Sequence, residues 1–65
     1  MIRAVCYEAS GNREHEWPSQ FACAPRAGER IQAVSGSITM TILDVTHAVD
    51  WSGPLLLIRL GHVQS

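Results

Sequence analysis

Between Ser37 and Trp51 the apolar residues alternate and then change phase. Ile38, Met40 and Ile42 fall on one face of an extended strand, with Thr39 and Thr41 on the other. From Leu43 onward the apolar set has the opposite parity: Leu43, Val45, Val49 and Trp51. Side chains alternate across a strand with a period of two, so the slip needs one extra residue or a sharp bend. A β-bulge at Ile42–Leu43 supplies that residue and increases the local twist. Long bent strands of this kind let a very small sheet curl onto itself. The rival reading is a helix over Thr41–Trp51, stacking Asp44, His47 and Asp50 at intervals of three. The β-branched residues Ile42, Val45, Thr46 and Val49 weigh against it.

The rest of the chain reads as short strands between turns. Ile2 to Ala9 is a first strand, and Ser10-Gly11-Asn12 a turn. Arg13 to Trp17 is expected to return as the second strand of a hairpin, ending at Pro18, which lacks a backbone donor. Ser19 to Ala24 is ambiguous. Ala24 to Gly28 is a turn, and Glu29 to Val34 a strand with Ile31 and Ala33 pointing together. Ser35-Gly36-Ser37 breaks that strand, and the long bent strand follows. After Ser52-Gly53-Pro54 comes a last strand, Leu55 to Val63, with Leu56, Ile58 and Leu60 inward and Arg59 outward; Gln64 and Ser65 fray. The expected fold is all-β: a small, five-stranded, strongly bent antiparallel sheet or barrel, forming a single domain over residues 1–65.

Sixty-five residues hold one domain at most, and a core this small is marginal. All five basic residues are arginines, there is no lysine, and the formal net charge is -1. That excludes a strong basic field for non-specific nucleic-acid binding. No run reaches the roughly 18 apolar residues of a membrane helix, and the first residues lack the apolar core of a signal peptide, so a cytoplasmic location is expected. There Cys6 and Cys23 are expected as buried thiols rather than a disulfide.

The chemistry-bearing residues form no catalytic or metal motif. Cys6, His15, Cys23, His47 and His62 lack the close spacing of a zinc set. Asp44 and His47 point to opposite faces of a strand, so His47 reads as a histidine at the core margin holding a backbone carbonyl. A cysteine activated by His47 is the alternative. No enzyme activity, cofactor or metal is expected. Glu14-His15-Glu16 reads as a charged edge strand that discourages sheet-to-sheet pairing, with a basic partner surface as the alternative. Trp17 and Trp51 both sit beside turns, and tryptophan and arginine are enriched at binding hot spots. At least one of the two tryptophans is expected to be substantially exposed; the alternative is that one closes the barrel end as core.

The segment Pro25-Arg26-Ala27-Gly28-Glu29-Arg30-Ile31, followed by Ile38–Val49 and Leu55–Leu60, resembles the small Src-homology-like barrels, such as KOW and Tudor domains. These share a Pro-x-x-Gly turn, a strand, a bent hairpin and a short final strand. The resemblance implies a compact barrel. Yet the chain lacks the aromatic cage of a Tudor reader and the basic loops of a KOW domain. In size, Met start and lack of targeting or catalytic motif, the chain also resembles the small anti-CRISPR proteins of phages.

The functional expectation is a non-catalytic protein-binding module. It would act by occluding the surface of a larger protein partner through Trp17, Trp51, Tyr7, Arg26, Arg30, Arg59, Glu14 and Glu16, and an anti-CRISPR-like inhibitor of a host nucleic-acid enzyme is one form of it. The alternative is a nucleic-acid-binding barrel using Arg26, Arg30 and Arg59 with aromatic stacking. A homodimer, joined along a Leu55–Ile58 strand edge, is compatible with either.

Overall fold

A computed structural model describes residues 1–62. Its strands are β1 (Ile2–Glu8), β2 (Gln20–Phe21), β3 (Arg30–Gln32), β4 (Thr39–Asp50) and β5 (Gly53–Gly61). They form one sheet in the order β2-β1-β5-β4-β3. The fold is thus all-β with five strongly curled strands, as the sequence predicts, and no helix spans Thr41–Trp51. The expectation for Val63, Gln64 and Ser65 lies outside the described residues.

One pairing differs from the antiparallel sheet expected: β1 and β5 run parallel, with Ala4 beside Leu56 and Glu8 beside Leu60. The cause is parity of strand number. Each strand lies beside its neighbours in sequence, except that β2 and β3 do not pair and β1 closes onto β5. Direction reverses at each hairpin step, so a ring of five strands must contain one parallel pair. The sheet is therefore a five-stranded meander curled into a half-barrel, with an open seam between β2 and β3.

The Arg13–Trp17 strand is not formed. Gly11 takes a φ of +83°, and the Asn12 side chain accepts a hydrogen bond from the Glu14 amide at 3.0 Å. These turns bend the chain away from β1. The segment crosses the seam instead. Its Glu16 carbonyl accepts from the Val34 amide at 2.8 Å, just beyond β3. Trp17 packs against the core, and its Nε1 donates to Glu8 at 3.3 Å. Glu8 is the one charged residue buried among those described, at 4% exposure, so the indole gives its carboxylate a partner that burial demands. The residues bridging β2 and β3 thus act as an irregular plug rather than a charged edge strand.

The core lies on the concave face. Ala4, Ile31, Met40, Ile42, Leu56, Ile58 and Leu60 are buried together, and Ile58 and Leu60 are wholly enclosed. Ile58 is held between Cys6 of β1 and Val45 of β4. The register of β4 against β5 shifts between Ile42 and Asp44, placing the extra residue at Leu43. The bulge foreseen from the change of phase is present. Its side chain lies over Gly61, where an added Cβ would come within 2.6 Å of the Leu43 Cδ1. A bare backbone at Gly61 is what gives the bulge room.

The bulge also marks a change of company. Before it, β4 pairs with β3 on one side, at Thr39–Thr41, and with β5 on the other. After it, the backbone partner of β4 is β5. Beyond the β1–β5 ladder, which begins at Ala4 and Leu56, the tip of the β4–β5 hairpin projects as an arm. Val45 still touches the core, whereas Val49 is 77% exposed and Trp51 fully so. Their parity matches the core face, but no strand lies opposite them. The Leu55–Ile58 edge expected from the sequence does not exist either, because β5 is the central strand with β1 and β4 on its two sides.

Candidate interaction surface

The arm is stiffened from its outer side. Arg3 on β1 reaches across β5 to Asp50 on β4, with Nη1 donating to Oδ2 at 2.9 Å and Nη2 to Oδ1 at 2.6 Å. The same Nη2 donates to the Gly53 carbonyl at 2.8 Å. Asp50 also accepts from the Ser52 amide at 2.8 Å, which fixes the Trp51–Ser52 turn, and Gly53 follows at a φ of +110°. Three strands are tied together at the base of the turn. The Arg3 guanidinium and the Ser52 amide hold the Asp50 carboxyl down at about 2. A carboxylate with a depressed pKa contributes stability above its ordinary value, here 3.8, and loses it as pH falls through about 2. The expected result is an Asp50 side-chain carbon that titrates near pH 2 by NMR and shifts upward in Arg3→Ala, where the Ser52 amide remains. An ordinary titration in the unaltered protein would show that this brace is absent in solution.

On the core side of the arm the half-barrel is not filled. An open groove of about 770 Å³ runs between β1 and the hairpin, lined by Met1, Ile2, Arg3, Gln20, His47, Ala48, Val49, Pro54, Leu55 and Leu56. Ile2, His47, Val49 and Leu56 share the parity of the core face, while Arg3, Ala48 and Leu55 have the opposite parity, so the groove wraps the end of the sheet where the core stops. Met1, one of the lining residues, is 91% exposed, and the fully exposed Trp51 follows two positions after Val49 in the chain.

The expected binding residues do not form one patch. Trp51 projects from the turn. Tyr7 and Arg59 are register partners at the other end of the outer face, where Arg59 binds Asp44 across the hairpin at 2.6 Å. Trp17 is half-buried in the plug, beside His15, whose ring meets it edge-on at 6.3 Å. Glu14 and Glu16 are exposed on the same segment. Arg26 and Arg30 are exposed at either end of the turn that leads into β3. Two of the five arginines, Arg3 and Arg59, are thus taken up by aspartates. Met1, Ile2, Pro54 and the distal groove were not legible in the sequence, because they become neighbours through the parallel β1–β5 pairing.

The candidate chemistry of cysteine and histidine has no assembled site. Cys6 is half-buried, with Sγ 3.3 Å from the Pro18 carbonyl. Burial pushes its thiol up to about 11, so it stays protonated at neutral pH and is a poor nucleophile. Cys23 is free and exposed, not a buried thiol as expected, because Ala22 and Cys23 lie past the short β2 on the surface. His47 is exposed rather than at the core margin, since the arm carries it beyond the packed layers. Among the described residues no three metal-ligating side chains cluster. No helix there is long and apolar enough to cross a membrane.

No protein-family model matches this chain, and neither a curated protein nor a solved structure is significantly similar to it.

Proposed function

We propose that this chain is a non-catalytic protein-binding module whose recognition element is the distal β4–β5 arm. The observation that carries the reading is Trp51, fully exposed on a turn held by a buttressed ion pair, two positions after Val49, which lines an open groove. A large apolar side chain held rigid in water gains much from burial and loses little rotational freedom when it is covered. Isolated exposed apolar residues are ordinary on protein surfaces. Met1 and Val49 are exposed and line one groove, Trp51 is exposed two positions beyond Val49, and clustered exposed apolar side chains mark interaction sites. The partner would present a pocket for the indole and an apolar ridge for the groove. Occlusion of a host nucleic-acid enzyme, in the manner of the small anti-CRISPR proteins, is one concrete form.

A partner recovered from the source cell with the tagged chain provides the test. Trp51→Ala should weaken that complex by roughly 30-fold or more, the scale of a hot-spot residue, while the circular dichroism spectrum is kept. An unchanged affinity would remove the arm as the anchor. Recovery of oligonucleotide instead, with binding that falls steeply as salt rises, would favour the arginine-based alternative.

A further inference from the structure

From Asp44 to Asp50, β4 is hydrogen-bonded along one side only. Its partner there is β5, whereas β3 stops opposite Thr41. The Gly28–Glu29 turn extends that side by bonds to Ile42 and no further. Among the described residues no other backbone group reaches this edge. In an antiparallel strand every second residue turns both its N–H and its carbonyl to the same side. A row of unpaired donors and acceptors therefore faces outward along seven residues. Natural sheets guard such edges with lysine, proline or bulges. The stretch Val45-Thr46-His47-Ala48-Val49 contains no charged lysine or glutamate and no proline, and the bulge lies before it.

We infer that this edge is a docking site for a second copy of the chain, joined through β4 to β4 across a two-fold axis at His47. This goes beyond the partner-binding role of Trp51: it shares His47 and Val49 with the groove but uses the free backbone edge of β4. The vacancy is bounded by the Gly28–Glu29 turn at one end and the Trp51–Ser52 turn at the other, which limits the register. Antiparallel self-pairing centred on His47 sets Val45 opposite the second copy's Val49 on the core-side face, a β-branched pair that sheets favour. Thr46 meets the second copy's Ala48 on the outer face. Asp44 meets its Asp50, and here the charges are already balanced: Arg59 neutralises the first and Arg3 the second. The pairing is isologous, so it closes at two copies and does not propagate into a fibre. Seven residues span about 24 Å of strand, less contact than a standard interface of about 800 Å² per partner, so the dimer falls in the weak class.

Sedimentation equilibrium combined with hydrogen exchange tests this. At about 10 μM the chain should sediment as a monomer, and at about 1 mM its weight-average mass should approach twice that value. Amides within residues 44–50 should gain protection over the same range, and those of β1 should not. His47→Lys places two ammonium groups at the axis and should weaken association at least tenfold. Thr46→Lys, at another exposed position, is the second variant. Trp51→Ala should leave the dimer intact, so dimerisation and partner binding are read separately. A monomer at about 1 mM overturns the inference, as does a dimer whose edge amides gain no protection or that both lysine variants leave unchanged.

Discussion

Ile58→Ala is expected to leave most of the protein unfolded at 25 °C. Ile58 has no exposed surface, and it sits where β1, β4 and β5 meet over the core. Removing a buried isoleucine to alanine costs roughly 2–5 kcal/mol through lost transfer energy and the cavity left behind. A core of this size supplies only about 3–5 kcal/mol of net stability. The two numbers are equal in scale, so one truncation removes nearly all of it. Ile58→Val, which keeps most of the volume, should cost about 1 kcal/mol and fold. Urea unfolding followed by far-ultraviolet circular dichroism separates the cases. A folded Ile58→Ala with a midpoint close to that of the unaltered protein would mean that the β1–β5 contact is not the centre of the core.

The second large effect is expected at Trp17, and it should differ sharply from Trp51. Trp17→Ala strips packing from the core and takes the indole N–H away from the buried Glu8. The combined loss is roughly 2–4 kcal/mol, from partial burial of an aromatic and from a buried carboxylate left without its donor. Trp17→Phe should recover the packing share and lose only the hydrogen bond. Trp51→Ala should change stability by less than about 0.5 kcal/mol, because its ring touches solvent alone. Urea midpoints of the three variants give the comparison. Equal losses at Trp17 and Trp51 would mean that the seam has no plug.

The contrast between the tryptophans shows what periodicity can and cannot reveal. The bulge at Leu43 was legible because a change of parity inside one strand has few physical solutions. The inward set Leu56, Ile58 and Leu60 was legible for the same reason. Parity fixes the face on which a side chain lies, but not whether anything lies opposite. Val49 and Trp51 have core parity and yet stand in solvent, because β3 is short and no second layer reaches the arm. The Arg13–Trp17 segment misled in the reverse way. Its alternation imitates a strand, while the Asx turn at Asn12 and the internal use of Trp17 and Glu16 depend on tertiary partners. The parallel β1–β5 contact joins residues some fifty positions apart, with Ala4 beside Leu56. No local pattern carries it, and with it went the groove, the Arg3 brace and the central place of β5.

The buttress and the bulge have a common consequence for function. Leu43 follows the end of the pairing with β3, and Arg3 ties the far end of the hairpin to β1. The protein thus divides into a closed end, where stability resides, and an open end, whose backbone and apolar groups remain available. Mutations should separate along that line, with stability moving at one end and association at the other.

Acrylamide quenching of the two single-tryptophan proteins, Trp17→Phe and Trp51→Phe, addresses that division most directly. The lone Trp51 should be quenched in the folded state nearly as readily as in urea, and the lone Trp17 several-fold less readily. A shielded Trp51 beside a freely quenched Trp17 would contradict both the arm and the plug.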